Sequence, residues 1–355
     1  MTIAPTSLDE LQRAVEESAP APLILTGAGT KRAKLPEAGA VRLDLRRLRG
    51  VVAYDPAECV VTARAGTPVA EIESALSAHG QYLPCDPPLA ETGATLGGLV
   101  ASGWSGSCRY RYGGIRDFVI GARFVDGHGV AVASGGQVVK NAAGFLVHHA
   151  LVGSAGRLGA IAELSLKVFP RPEARRTLLA QAPSLPEAVA AHERLRSAPL
   201  DLDALDLDAS SHQVVVRVGG AGEALPPRLE RIRHTLGLPV ELAVDADDAR
   251  IWHDVSECYW AAAANVIKLP AAPSRLPAML QTLTPFGRCR AAAGGAVVFL
   301  ATDAPLDDLD ASVTAASWRG VVVRGPAHGR RLGAGAPNAF DRRVHAAVDP
   351  DGRFQ

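Results

Sequence analysis

Cysteine is scarce and unpatterned in this chain of 355 residues, which contains five cysteines at scattered positions. No two of them form a Cys-x-x-Cys pair, and no group of cysteine and histidine has the spacing of a zinc site. The sequence therefore excludes a disulfide framework and predicts five free thiols in a reducing compartment. We expect no metal site.

The chain also lacks an excess of charge of either sign, because 37 Lys and Arg residues balance 37 Asp and Glu residues. This balance removes the broad attraction that draws strongly basic proteins to nucleic acid or anionic lipid. Aromatic residues make up only 5% of the chain, which argues against a stacking platform for single-stranded nucleic acid. No apolar run reaches the length of a spanning helix, and the first residues lack a signal-peptide core. We expect a cytoplasmic protein without direct membrane insertion.

Hydrophobic periodicity predicts regular structure on both sides of a boundary at residues 170–173, where two prolines flank an arginine. Ser7 followed by Glu10 predicts a capped helix at the amino terminus. Further helices are expected at 68–79, 223–236, 273–283 and 305–316, and strands at 23–25, 118–125, 213–218, 265–269, 296–300 and 320–323. Alternating helices and strands beyond residue 173 predict an α+β domain, with an antiparallel sheet as the favoured arrangement.

A glycine loop, Gly27-Ala28-Gly29, follows the first apolar strand and has the composition of a phosphate-binding turn. Thr30 and Lys31 would add donors. It is not a Rossmann fingerprint, because Arg32 stands where the third glycine should fall and no helix pattern follows. Taken alone, the loop could equally be an ordinary turn.

Two further glycine-rich segments lie at Thr92–Gly98 and Gly153–Gly159, and residues 81–116 show little regular pattern. Each segment alone could supply turn or bulge glycines. Three such loops in one domain, with Gly113-Gly114 and Gly135-Gly136 besides, indicate a domain that surrounds a long cofactor containing a diphosphate and a ring.

The motifs around these loops resemble a known family. They are Ala101-Ser102-Gly103-Trp104-Ser105-Gly106, the run from Tyr112 to Gly121, Gly135 to Phe145, and Leu151 to Glu163. The resemblance is to FAD-binding domains of the vanillyl-alcohol oxidase or PCMH type, and within them to the E subunits of bacterial glycolate oxidases. It covers residues 20–172 and 349–354, whereas residues 175–335 match only in length and texture.

This resemblance implies an α+β fold with a two-part PCMH-type FAD-binding domain at residues 1–172. A smaller α+β cap domain with an antiparallel sheet would follow at 173–338, and a tail at 339–355 would pack back on the first domain. It also implies FAD contacts at Thr26, Gly27, Ala28, Gly29, Thr30, Lys31, Thr92, Gly93, Ala94, Thr95, Leu96, Gly97, Gly98, Ala101, Ser102, Gly103, Arg109, Lys140, Asn141, Gly144, Gly156, Gly159 and Ile161.

Relatives that attach flavin covalently carry a histidine in the diphosphate loop, and this chain has none there, so we expect non-covalent FAD. Cys85 lies where some relatives form a second covalent bond, but its Pro-Cys-Asp-Pro-Pro setting differs, and a free thiol is expected. Where the family reads Gly-Tyr-Asp, this chain has Gly144-Phe145-Leu146.

Catalytic groups are not evident from the sequence. His148 and His149 replace a Ser-Arg-like pair, and either could act as a base or anchor a carboxylate, or be structural. Arg116 is a further candidate, with a local ion pair to Asp117 as the alternative. The histidine-rich metal motif of catalytic D-type relatives is absent, and Ala327-His328-Gly329-Arg330-Arg331 is the nearest run.

The resemblance implies an FAD-carrying subunit that oxidises glycolate, or another small 2-hydroxy acid, within a complex. Its partners would be a catalytic D-type flavoprotein and an iron–sulfur F-type subunit, which could also hold it at the inner membrane. A stand-alone FAD-dependent 2-hydroxy acid oxidase or dehydrogenase, and a flavin-fold structural subunit without FAD, remain alternatives.

Overall fold

The structure, a computed structural model, describes residues 1–31, 39–136, 146–333 and 339–354. The chain divides into two compact units. Unit 1 contains Met1–Trp104, Gly114–Arg171 and Gly335–Gln355, and unit 2 contains Ser105–Gly113 and Pro172–Ala334.

The described helices are α1 (Leu8–Glu17), α2 (Val69–Ser77), α3 (Leu96–Ser102), α4 (Arg109–Tyr112), α5 (Leu185–Ser197), α6 (Leu225–Leu236), α7 (Asp245–Ser256), α8 (Leu276–Leu283), α9 (Leu306–Ala315) and α10 (Ala339–Val348). The strands of unit 1 are β1 (Thr2–Ile3), β2 (Leu23–Thr26), β3 (Val41–Asp44), β4 (Val51–Asp55), β5 (Val60–Arg64), β6 (Gln81–Tyr82), β7 (Val119–Val125), β8 (Ala131–Gly135), β9 (Ala160–Lys167) and β10 (Phe169–Pro170). Those of unit 2 are β11 (Ala174–Gln181), β12 (Ala204–Asp208), β13 (Gln213–Gly220), β14 (Val240–Val244), β15 (Asn265–Pro270), β16 (Arg288–Ala292), β17 (Val297–Thr302), β18 (Gly320–Arg324) and β19 (Arg331–Leu332). Across the described ranges, none of these helices is long and apolar enough to cross a lipid bilayer.

Helix α1 begins where the sequence predicts it. The hydroxyl of Ser7 accepts a hydrogen bond from the backbone N–H of Glu10 at 3.2 Å. The Glu10 carboxylate in turn accepts from the backbone N–H of Thr6 at 2.8 Å, one residue before the cap. Leu11 and Val15 lie one turn apart and are fully buried, so the apolar face of the helix packs into the core of unit 1.

Unit 1 is built in two parts. A three-stranded parallel sheet has the order β1-β3-β2, and a five-stranded antiparallel sheet has the order β4-β5-β9-β7-β8. A shared cluster of buried side chains, among them Leu11, Leu23, Val125 and Ala160, joins α1 to both sheets. Strands β6 and β10 form a separate antiparallel pair.

The carboxy-terminal residues complete unit 1. Phe354 forms a parallel bridge with Leu23 at the edge of β2. The buried guanidinium of Arg353 donates to the carbonyl oxygens of Val15 at 2.8 Å and Gly127 at 3.1 Å. The Asp349 carboxylate accepts the backbone N–H groups of Arg353 and Phe354, at 2.9 and 2.8 Å. The buried guanidinium of Arg353 and the buried carboxylate of Asp349 are therefore both hydrogen-bonded.

Unit 2 contains a nine-stranded antiparallel sheet of order β14-β11-β13-β12-β16-β17-β15-β18-β19. Alternate strand residues such as Leu178, Val216 and Leu300 form one face, which packs with α5, α6, α8 and α9 into a large apolar core. The intervening residues form a second face, where Val215 packs with Trp252 of α7 and with Cys108.

This second face is unusually polar for a buried surface. Arg217 pairs with Asp248 at 2.6 Å, and the Asp248 carboxylate also accepts from the Thr177 hydroxyl at 2.7 Å. Ser107 donates to Asp206 at 2.5 Å, and Arg111 pairs with Asp203 at 3.1 Å. These last two contacts anchor residues 105–113 on the unit 2 sheet, although their sequence neighbours on both sides belong to unit 1.

The α+β fold class, with an antiparallel sheet in the second part of the chain, is confirmed. Residue Arg109, implied as an FAD contact, lies on α4 within the segment that belongs to unit 2. The domain ranges themselves stay a prediction.

Candidate functional site

The glycine-rich loops converge in unit 1. Gly27 lies against Thr95, because a Cβ atom added at Gly27 would overlap the Thr95 hydroxyl. Gly153 contacts Gly103, whose added Cβ would lie 3.0 Å from the Gly153 Cα atom. Gly156 packs on Leu25 of β2. Four predicted cofactor segments, at 26–31, 92–98, 101–103 and 153–159, thus meet around α3.

The first loop presents backbone N–H groups. It follows β2, and the Thr26 hydroxyl fixes its start by donating to the Leu43 carbonyl at 3.3 Å. Among the described turns and loops, none of the four N–H groups from Gly27 to Thr30 donates to a backbone carbonyl. Ala28 and Gly29 are exposed, and Gly29 has a φ of +74° with open space where a side chain would stand. Successive free N–H groups in such a turn are an anion-binding arrangement.

Most N–H groups of the second segment donate to carbonyl or hydroxyl oxygens of the protein. Ala94 donates to Leu89 at 2.9 Å, Leu96 to Thr67 at 2.9 Å and Gly97 to Ala65 at 2.8 Å. The N–H of Gly98 donates to the Thr95 hydroxyl at 3.3 Å, which caps α3. These hydrogen bonds fix the segment in place. A ligand could therefore pack against its surface but would find few unused N–H donors there.

The glycines of this segment differ in what surrounds them. At Gly93, which has a φ of +98°, an added Cβ would meet nothing within 4 Å. At Gly98 it would meet only the Thr95 hydroxyl, at 3.1 Å. At Gly97, however, it would lie 2.8 Å from the Ala65 Cβ atom and 3.1 Å from the Ala65 carbonyl oxygen. Gly93 and Gly98 thus border open space, whereas Gly97 is needed for packing within the protein.

The third segment is tied to α3 through the backbone. Gly153 donates to the Val100 carbonyl at 3.0 Å, and Ala155 donates to the Ala101 carbonyl at 2.8 Å. At Gly159, an added Cβ would lie 2.8 Å from the Phe124 ring, so the strand pairing itself requires glycine. Ile161 is buried on β9 opposite Phe124.

These residues fit a dinucleotide that contains a diphosphate. The N–H groups from Gly27 to Thr30 would face the anionic oxygens, and glycine surfaces at Gly93 and Gly98 would permit close approach of a flat group. Lys31 is buried, at 8% exposure, directly after the anion loop. Lys140, Asn141 and Gly144, which the family resemblance adds to this site, lie outside the described residues.

The histidine candidates occupy a buried turn. His148 is 1% exposed; its ring Nδ1 lies 3.0 Å from the Ser134 hydroxyl, and its backbone N–H donates to that hydroxyl. Burial lowers the pKa of His148, and neighbouring His149 lowers it further, so the ring is neutral at neutral pH. Its ring packs edge to face on His149. These contacts favour a structural role for His148.

The remaining candidates, Arg116 and Cys85, have different surroundings. Arg116 is exposed, and the Asp117 carboxylate accepts the backbone N–H of Gly114 at 2.8 Å. Cys85 is fully buried, and burial raises the pKa of its thiol well above the ordinary value, with further increases from Asp86 and Glu73. A buried neutral thiol is a poor nucleophile. Throughout the described ranges, no group of three His, Cys, Asp or Glu side chains could hold a metal ion.

Sequence reasoning did not identify Leu25 and Ala65, the side chains on which Gly156 and Gly97 rest. Both are apolar residues in or beside strands, and only the three-dimensional fold brings them to the glycines. No local sequence signal could have revealed these pairs.

Comparison with known proteins supports an FAD site in the same region of the chain. A family model described as FAD binding domain matches residues 1–135. The chain is 41% identical over 198 residues to glycolate oxidase subunit GlcE of Escherichia coli (strain K12), an alignment that covers 56% of each chain. It is 30% identical over 182 residues to glycolate oxidase subunit GlcD of Bacillus subtilis (strain 168), covering 50% of this chain and 38% of GlcD. The predicted resemblance to glycolate oxidase E subunits is confirmed.

The fold has relatives among solved structures. Alkyldihydroxyacetonephosphate synthase has a TM-score of 0.72 at 17% identity, with 99% of this chain and 75% of that chain covered. This likeness confirms the expected PCMH-type fold. The sequence alignments span about half the length of GlcE and less of GlcD. Within these limits, residues 1–135 of this chain are similar to the FAD-binding domain family.

Proposed function

We propose that this chain is the FAD-binding subunit of a flavin-dependent complex that oxidises a small 2-hydroxy acid, with glycolate to glyoxylate as the reaction. The observation that carries the proposal is the convergence of Gly27–Thr30, Thr95 and Gly98 in a domain of the FAD-binding family. Similarity to GlcE and GlcD supports glycolate as substrate.

The residues of the chain would hold the cofactor mainly through the backbone. The N–H groups of Gly27 to Thr30 would bind the diphosphate oxygens, since none of them donates to a backbone carbonyl of the described residues. The surfaces of Gly93 and Gly98, with Ala101, Ser102 and Gly103 beyond them, would lie along the ring. When bound, FAD supplies the two-electron oxidant, and the protein supplies orientation and electrostatics.

We propose that FAD is held without a covalent bond. The diphosphate loop contains no histidine, and the Cys85 thiol is fully buried and neutral. Neither a histidine of this loop nor the Cys85 thiol can therefore form a covalent bond to the flavin ring.

A subunit role is favoured over a stand-alone oxidase. The structural contacts of His148 leave it poorly suited to take a proton from a substrate hydroxyl. We propose a D-type flavoprotein and an iron–sulfur F-type subunit as partners in the cytoplasm, at the inner membrane where those partners require it.

Purification of the chain alone and together with candidate D-type and F-type subunits tests this proposal. The chain alone should bind equimolar FAD, and rapid glycolate-dependent reduction of an electron acceptor should require the assembled complex. A chain whose own flavin bleaches anaerobically with glycolate would support the stand-alone oxidase. A chain that stays colourless with excess FAD would support a flavin-free structural subunit.

A further inference from the structure

Unit 2 carries a row of basic side chains on the second face of its sheet. Arg290 of β16 pairs with Phe299 of β17, and Phe299 pairs with Lys268 of β15. Directly paired residues of an antiparallel sheet point to the same side, so the two cations flank one aromatic ring on one face. The backbones of β16 and β15 lie about 10 Å apart, a span that an arginine and a lysine can close around a small anion.

The Arg290 guanidinium has donor capacity that the protein does not use. Arg290 is 5% exposed, and its Nε atom donates to the Asp206 carboxylate at 3.0 Å. That carboxylate also accepts from the Ser107 hydroxyl and from the Ala293 N–H at 3.2 Å. The Nη2 atom of Arg290 is buried and has no hydrogen-bond partner within the described residues. A buried donor without an acceptor is costly, which points to an acceptor that binds there.

The positive charge of Arg109 acts on Lys268. Burial, with a smaller contribution from the charge of Arg109 on α4, lowers the pKa of Lys268 to about 8. An anion placed between these cations would offset their mutual repulsion.

The neighbouring Arg288 differs from Arg290 in how its guanidinium is bonded. Its Nε and Nη2 atoms both donate to Asp208, at 3.2 and 2.6 Å, and its Nη1 atom donates to the Trp260 carbonyl at 3.0 Å.

We propose that Arg290 and Lys268 form a binding subsite for a small carboxylate, with Phe299 against its apolar part and Arg109 adding positive charge. Arg290 would donate through Nη2, and Asp206 and Ser107 would hold the guanidinium in place. Taking the bound group as the carboxylate of a 2-hydroxy acid rests on the proposed function. The anion subsite itself rests only on unit 2.

Calorimetric titration of the full chain with oxalate, an anion without an oxidisable α-hydrogen, tests the subsite. The wild type should bind oxalate, and Arg290→Gln and Lys268→Met should each weaken binding by about tenfold or more. Lys268→Met leaves the Arg290–Asp206 pair intact, so it tests the subsite even where Arg290→Gln disturbs folding. Glycolamide, which lacks a carboxylate, should not bind.

Arg288→Gln is the matched control. It removes an arginine two residues away on the same strand and face, but one whose donors are already bound to Asp208 and Trp260. Oxalate affinity should stay within about twofold of the wild type. Absence of oxalate binding by the wild type, or an equal loss in all three variants, would overturn the subsite.

A separate FAD measurement distinguishes the two proposals. Flavin-free protein that binds oxalate through Arg290 and Lys268 would support the subsite while contradicting the proposed function. Protein that binds FAD and supports glycolate oxidation in its complex, yet takes up no oxalate, would refute the subsite alone.

Discussion

Gly27 and Thr95 lie in van der Waals contact, so that no side chain fits at position 27 while the Thr95 hydroxyl keeps its place. The contact joins the loop whose N–H groups donate to no backbone carbonyl of the described residues to Thr95, the residue that caps α3. Two segments separated by more than sixty positions are thereby held at a fixed spacing, which the proposed diphosphate site requires.

Gly27→Ala should weaken FAD binding by about tenfold or more, or about 1.4 kcal/mol. The added methyl group would push the loop away from Thr95. Thr95→Ala alone should cost about 1 kcal/mol of stability through loss of the cap. The FAD affinities of the wild type, both single variants and the double variant give the coupling free energy between positions 27 and 95.

In the double variant, the nearest remaining Thr95 atom, its Cβ, lies 3.5 Å from the added methyl group, an ordinary contact. Affinity should therefore recover relative to Gly27→Ala. If the two effects simply add, the steric link between the loops is wrong.

Gly98 and Gly97 should respond differently to valine. At Gly98 the side chain would extend into open space beside Thr95, so FAD affinity should fall while thermal stability of the FAD-free protein changes little. At Gly97 it would collide with Ala65, so stability should fall by about 1 to 3 kcal/mol. FAD titration beside thermal unfolding separates the two effects. Equal losses of stability in both variants would refute the distinction.

The Arg353 guanidinium should contribute strongly to the stability of unit 1. It is 4% exposed and satisfies the carbonyl oxygens of Val15 and Gly127. Arg353→Ala should lower the free energy of unfolding by about 3 kcal/mol, because it leaves buried acceptors unpaired. Arg343→Ala, at an exposed position of α10, should stay within about 0.5 kcal/mol. Urea unfolding of both variants checks this, and equal stabilities would contradict it.

His192 should make the protein sensitive to acid. Burial in unit 2 lowers the pKa of His192 to about 4, against 6.5 in the unfolded chain. The unfolded state therefore binds the proton first, and stability present above pH 6.5 is lost as the pH falls towards 4, by up to about 3 kcal/mol.

His192→Leu should flatten this dependence, whereas His234→Gln, at an exposed position of α6, should leave it unchanged. Urea unfolding of each protein between pH 7.5 and about 4.5 measures the effect. A wild type and a His192→Leu variant with parallel pH profiles would show that His192 is not the responsible group.

Thiol reagents should label the partly exposed cysteine of the native protein faster than the buried ones. Cys59 is partly exposed, whereas Cys85 is fully buried and Cys289 has its pKa raised by burial to about 12. Iodoacetamide should modify Cys59 in the native protein and the other two only after unfolding, as peptide mass mapping would show. The Cys59→Ser variant serves as the control and should lose the native reaction. Prompt native labelling of Cys85 would contradict the closed setting assigned to it.

Local signals in the sequence predicted many elements correctly. The Ser7 cap, strand 265–269 and the helix at 305–316 correspond to α1, β15 and α9 within one or two residues. Periodicity and capping are local properties, and the structure confirms them where packing agrees. The capping box differs in one detail, since Glu10 accepts from Thr6 rather than Ser7.

Features that depend on long-range contact were not predictable in this way. Residues 105–113 belong to unit 2 because Ser107 donates to Asp206 and Arg111 donates to Asp203. These acceptors lie almost one hundred positions further along the chain. Arg290 of β16 and Lys268 of β15 were likewise not identified from the sequence. A cation between apolar neighbours, as in Ile267-Lys268-Leu269, was the available signal.

The FAD content of the purified full chain, measured before and after acid denaturation, tests the central claim most directly. We predict equimolar FAD that is released completely into the acid supernatant and is lost in the Gly27→Ala variant. A wild-type chain that takes up no FAD from excess cofactor, or a flavin that stays attached to the denatured protein, would contradict it.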